Sequence, residues 1–228
     1  MHPQHHTLAL LKLLLDKAEH TLFPAQELAQ LRAEYTQIAA DPAQTPTQIE
    51  QTIVRFGKKI WPYAEALEEL YRRHGQEREA QTVCTKLSGE LCAKYQDWLV
   101  KGGALSDFRH GAQMELAFSP EEKLELSTAG VEAHAQVLRE IAQTCRADKK
   151  NECEEVIAEH QEKLARFEKK LTILKALTQK SEKWQAEIED KIQTFEKAFG
   201  YLERTFHESD LDGVIDYYQG IIAEPEYS

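Results

Sequence analysis

Apolar residues recur at alternating three- and four-residue steps through most of the second half of this chain, a spacing that commits it to helices packed along a seam. One series runs Leu124, Ser127, Val131, His134, Leu138, Ile141 and Cys145. Another runs Cys153, Ile157, His160, Leu164, Phe167, Leu171 and Leu174. Between them lies the charged stretch Arg146-Ala147-Asp148-Lys149-Lys150, after which Asn151-Glu152-Cys153-Glu154 reads as a fresh helix start. No segment keeps the period-two alternation of a strand for more than a few residues. The expected fold class is all-α: a multi-helix bundle whose C-terminal half holds a long antiparallel, coiled-coil-like helical hairpin turning near residue 149.

The hairpin opens with Ser119-Pro120-Glu121-Glu122, which combines a capping side chain, a first-position proline and acidic residues at the positive end of the helix dipole. Its arms are unequal. The second series continues past Leu177 to Phe206, so an unbroken second arm would reach ~80 Å against ~40 Å for the first. The regular seam slips between Leu171 and Ile192, where the short arm runs out. Beyond it, Trp184, Ile188, Ile192, Phe195 and Phe199 need a surface to cover them, either within the chain or on a partner. These five are the expected partner-binding residues.

Helix signals fill the first half as well. Residues 4–22 form an apolar first helix, and Pro24 opens a second that ends at Asp41-Pro42. Thr45-Pro46 with Gln48 starts a third, whose stripe from Ile49 to Tyr71 passes Pro62; a kink or a split is expected there. Another helix is expected from Ala80 to Trp98, ending at Lys101-Gly102-Gly103. The double glycine is the expected domain boundary, giving an N-terminal helical subdomain over 1–103 and a hairpin subdomain over 104–228.

Charge narrows the partners. The net charge is −11, with 11 basic against 13 acidic residues in 1–100 and 17 against 26 in 101–228. So acidic a surface repels phosphate backbones, and Lys58-Lys59 or Arg72-Arg73 are too short to make a basic patch; no nucleic-acid partner is expected. No stretch approaches the roughly 20 apolar residues of a membrane span, so no membrane partner is expected either. The segment Thr7–Leu15 lacks the basic flank and cleavage site of an export signal, which makes the cytoplasm the expected compartment.

Four cysteines form two pairs, each eight residues apart. Cys145 and Cys153 flank the expected turn, so a disulfide there would clamp the hairpin base, worth ~2 to 3 kcal/mol in the chain-entropy model. The alternative is a pair of small buried thiols, which a cytoplasmic setting favours. Cys84 and Cys92 fall in one expected helix and cannot bridge unless Ser88-Gly89 breaks it. None lies in a Cys-x-x-Cys motif.

His134 and His160 sit on opposing seams about one heptad out of register, which fits polar residues setting hairpin register better than metal ligands. Asp107-x-x-His110 is a single occurrence of a spacing that di-iron bundles use twice. Asp210-x-Asp212-Gly213 lacks the remaining ligands of a calcium loop. No nucleophile elbow, phosphate loop or dinucleotide turn is present. The expectation is therefore a non-catalytic helical scaffold or adaptor without a cofactor, binding a protein partner or a second copy of itself through the hairpin. The alternative is a bundle with a small-molecule, metal or redox site using Trp61, Tyr63, His110 or the cysteines.

Overall fold

In the computed structural model, which describes residues 3–109, 114, 117–202 and 208–224, the chain is all-α. Ten helices and no strand occur among the described residues: α1 Pro3–Glu19, α2 Ala25–Ala40, α3 Pro46–His74, α4 Gln76–Lys86, α5 Gly89–Val100, α6 Leu105–Arg109, α7 Pro120–Ala147, α8 Lys150–Thr178, α9 Gln185–Phe199 and α10 Glu208–Ala223. None of these helices is long and apolar enough to cross a membrane.

Local chemistry explains where several begin. At α7, Ser119 Oγ accepts from the Glu122 N–H at 3.2 Å while the Ser119 N–H donates to Glu122 Oε2 at 2.7 Å, a reciprocal capping box followed by Pro120. Thr45 and Gln48 make the same exchange at α3, at 3.3 and 2.8 Å. α3 then runs through Pro62 as one helix, so of the kink and the split expected there the split does not occur. The surrounding burial of Ile60, Trp61 and Ala64 holds the segment helical although proline removes one backbone bond.

The segment expected to be one helix from Ala80 to Trp98 is two. α4 ends at Lys86, and Ser88 caps α5 by accepting from the Leu91 N–H at 3.3 Å. That corner brings the Cα atoms of Cys84 and Cys92 to 5.0 Å, and the two are disulfide-bonded. Cys145 and Cys153 are bonded as well, across the short connection between α7 and α8, with Cα atoms 5.7 Å apart. No free cysteine remains.

The chain divides into two units, one of Met1–Glu65 with Ile157–Ser228 and one of Ala66–Val156. This differs from the division expected at residue 103. Gly102 and Gly103 lie inside the second unit as the tight turn between α5 and α6: Gly102 has φ +96°, and a Cβ on Gly103 would meet the Trp98 ring at 2.1 Å. The chain crosses between units within α3, three residues after Pro62, and within α8, which holds no glycine or proline.

In the first unit α3 separates two apolar clusters. Ile49, Ile53, Phe56 and Ile60 pack with Leu11, Leu14, Leu15 and Ala18 of α1 and Leu28 and Leu31 of α2. Trp61 faces the other cluster, built from α8, α9 and α10. α8 does not continue towards Phe206 as one long arm: it stops at Thr178, and α9 returns along it, so that the Phe167 ring meets Phe195 at 5.9 Å and Phe199 at 5.7 Å. Phe206 lies outside the described residues. The end of α9 also presses on α3, where a Cβ on Gly57 would meet the Phe199 carbonyl oxygen at 2.6 Å.

In the second unit, α7 packs most closely on α4 and α6. Its buried residues include Leu126, Ala129, Gly130, Ala133, Val137 and Ile141. Ile141 and Cys145 are buried as the seam requires, but nearer the start of α7 the buried stripe is displaced from it, and Leu124 and Val131 are 70% and 52% exposed. Small side chains decide the choice, because α6 comes so close that a Cβ on Gly130 would lie 3.3 Å from Phe108 Cβ.

Replacing Gly57 by Ala tests the α3–α9 contact. The added methyl meets a backbone carbonyl, so stability in urea should fall by about 1–3 kcal/mol despite alanine's better helix propensity; an unchanged or higher midpoint would contradict the contact.

Candidate functional site

Five helices of the second unit converge on one buried carboxylate. Glu79 of α4 is fully buried. His134 of α7 places Nδ1 2.8 Å from Glu79 Oε2, and Arg109, the last residue of α6, places Nε 3.7 Å from Glu79 Oε1. Tyr71 and Glu68 of α3 close the cluster: the Arg109 guanidinium lies 5.5 Å from the Tyr71 ring centroid, and Tyr71 packs edge-on to the His134 ring. Glu68 Oε1 stands 3.9 Å from His134 Nε2, an ion-pair contact. Tyr95 of α5 is fully buried, and the Glu79 and Arg109 charges both act on its phenol.

Arg109 Nη1 also lies 2.6 Å from His134 Nδ1. One ring nitrogen cannot accept from a guanidinium and donate to a carboxylate at once, so protonation decides which contact is a hydrogen bond. Burial opposes the imidazolium, as does the Arg109 charge, but the Glu68 and Glu79 carboxylates outweigh them and hold the His134 pKa above its ordinary 6.5. In that state Nδ1–H donates to Glu79. The contact from His134 Nε2, against opposing burial, holds the Glu68 carboxyl below its ordinary 4.5. Burial first, and then Glu79, push the Tyr71 phenol up, so it stays neutral.

Tyr71 and Arg109 also line an adjoining cleft of about 450 Å³, with Gln76, Glu77, Leu99 and Ser106 among its walls. The cluster sets its charges against one another, yet Glu79 Oε1, Arg109 Nε and the Tyr71 and Tyr95 hydroxyls are buried without a hydrogen-bond partner among the described residues. Among the described residues, no group of three or more His, Cys, Asp or Glu side chains is placed to hold a metal ion. His160 sits in the other unit, its ring against Trp61, and His110 lies outside the described residues.

The residues expected to bind a partner lie inside the first unit. Ile188, Ile192 and Phe199 are 0, 7 and 1% exposed, with Trp184 and Phe195 partly buried against the same cluster. The chain supplies most of their cover itself by folding α9 onto α8, with Trp184 and Phe195 left partly exposed. Large apolar side chains are exposed at Leu13, Val100, Leu124, Val131, Ile173, Tyr201 and Tyr217, and among the described residues α7 is the one helix that carries two of them. Leu124, Val131 and the partly buried Leu138 repeat every seven residues, and beside them runs an open groove of about 370 Å³ lined by Lys86, Glu121, Leu124, Glu125, Thr128, Ala129 and Glu132.

The sequence reading missed Glu79 and Arg109. Glu79 stands four residues before Val83 on the buried side of α4, so helical spacing marks its position but polarity argued it outward. Arg109 carries no local signal. No family model matches the chain, and comparison with curated proteins and with solved structures finds nothing similar.

The His134 contribution to stability is fully present below its unfolded pKa and is lost as pH rises through the higher folded value; that of Glu68 is lost as pH falls through its lowered value. The cluster should therefore stabilise most between pH 4.5 and 6.5. Urea midpoints should decline above that window in the native chain, and His134→Gln should flatten the decline. A His134 ring titrating below 6.5 by NMR would refute the assignment.

Proposed function

We propose that the chain is a non-catalytic helical scaffold or adaptor that binds another protein through the outer face of α7. The observation that carries this reading is the exposed heptad of Leu124 and Val131 on a helix whose opposite side is fixed. α7 is a rigid platform: a capping box holds its start, α4 and α6 hold its buried stripe, and the Cys145–Cys153 bond ties its end to α8. Docking on a surface already ordered avoids much of the entropy cost of association. The disulfide at the base supports a helical hairpin with α7 as its presenting arm.

A photo-reactive residue placed at Thr128 should give a discrete protein adduct in the native cell. Leu124→Glu with Val131→Glu should abolish it while leaving the thermal unfolding midpoint within about 2 °C, because both side chains already face water. An adduct that persists in the double variant, or none in the native chain, would sink the α7 reading.

Acidity supports a protein over a nucleic-acid partner. The pairing of all four cysteines favours an oxidising place of action over the cytoplasm expected from the sequence. Thiols blocked at harvest and then counted by mass should number zero; four blocked thiols would restore the cytoplasmic setting.

A further inference from the structure

Resting on the α7 reading, we infer that the occupant of this face is a basic amphipathic helix of another protein and not a second copy of this chain. At roughly 100° per residue, Leu124, Val131 and Leu138 fall within about 40° of one another around α7. Glu121, Glu125 and Glu132 form a second row of similar width about a quarter turn away. The apolar row spans roughly 21 Å, the length of four helical turns. The open groove beside it is lined by all three glutamates, with Leu124 bringing the apolar row to its edge.

The groove's charges are unbalanced. Its three glutamates face one cation, Lys86, whose Nζ is already 3.0 Å from Glu132 Oε2. Glu121 Oε2 accepts from the Ser119 hydroxyl at 3.0 Å, which does not neutralise it. Glu125 has no ion-pair partner among the described residues, and its side chain is exposed. A helix with apolar residues at heptad spacing and lysines or arginines along one flank matches both rows at once. A second copy paired antiparallel does not. In an antiparallel isologous pairing of two α7 faces like flanks meet, so the glutamate rows would oppose each other between chains that each carry a net charge of −11.

Two synthetic helical peptides with the same leucine heptad, one flanked by lysines and one by glutamates, distinguish the outcomes in fluorescence anisotropy with the full oxidised chain. The lysine peptide should bind at least about ten-fold tighter, and the preference should shrink at high salt. Glu121→Gln with Glu125→Gln should remove most of that preference while keeping the fold by circular dichroism. Leu124→Glu with Val131→Glu should remove binding altogether. Equal binding of both peptides overturns the basic partner and leaves the α7 interaction reading standing. A dimer by light scattering that the leucine and valine changes dissociate also overturns it, because the occupant is then a second copy. Failure of the folded chain to bind either peptide overturns the inference outright, and the cellular adduct at Thr128 then decides the α7 reading separately.

Discussion

The first unit depends on α9 folding back along α8. Phe167 meets Phe195 and Phe199 across that turn, and Ile188 and Ile192 are buried by it. Full burial of one such side chain is worth about 1.5–3 kcal/mol, so the aromatic and aliphatic stripe from Trp184 to Phe199 gains far more inside its own unit than on a transient partner. The return also requires α3 to accept the end of α9 at near-backbone distance, which is why glycine stands at position 57. Had α8 continued straight, that stripe would have been the chain's largest exposed apolar surface. Because it turns, the candidate interaction surface moves to the other unit.

The second unit rests on a different balance. A carboxylate as buried as Glu79 is costly unless countered, and two helices of very different length bring the counter-charges: Arg109 ends the five-residue α6, and His134 is carried by the 28-residue α7. Charge pairing here selects one arrangement of α4, α6 and α7, since a shift of any of them leaves an unpaired buried ion. The Cys84–Cys92 bond adds to this by tying α4 to α5 at the corner beside the cluster. α7 is thereby held from one side, and its other side is left free to present Leu124 and Val131.

Much of this was legible in the residues themselves. Helical periodicity without alternation gave an all-α chain, and the Ser119 and Thr45 starts appear as reciprocal caps because capping involves residues three apart, whose energetics are local. The eight-residue spacing put Cys145 and Cys153 within bridging reach across a turn, and the pair is bonded. Tertiary contacts decided the rest. Which stripe of α7 is buried turned on Ala129, Gly130 and Ala133, small residues that weigh little in a hydrophobic pattern but permit the closest approach of another helix. The break between α8 and α9, the α4–α5 corner, the burial of Glu79 and the crossing between units inside two helices have the same origin. Each depends on groups far apart in the chain, and no local spacing encodes the free energy of bringing them together.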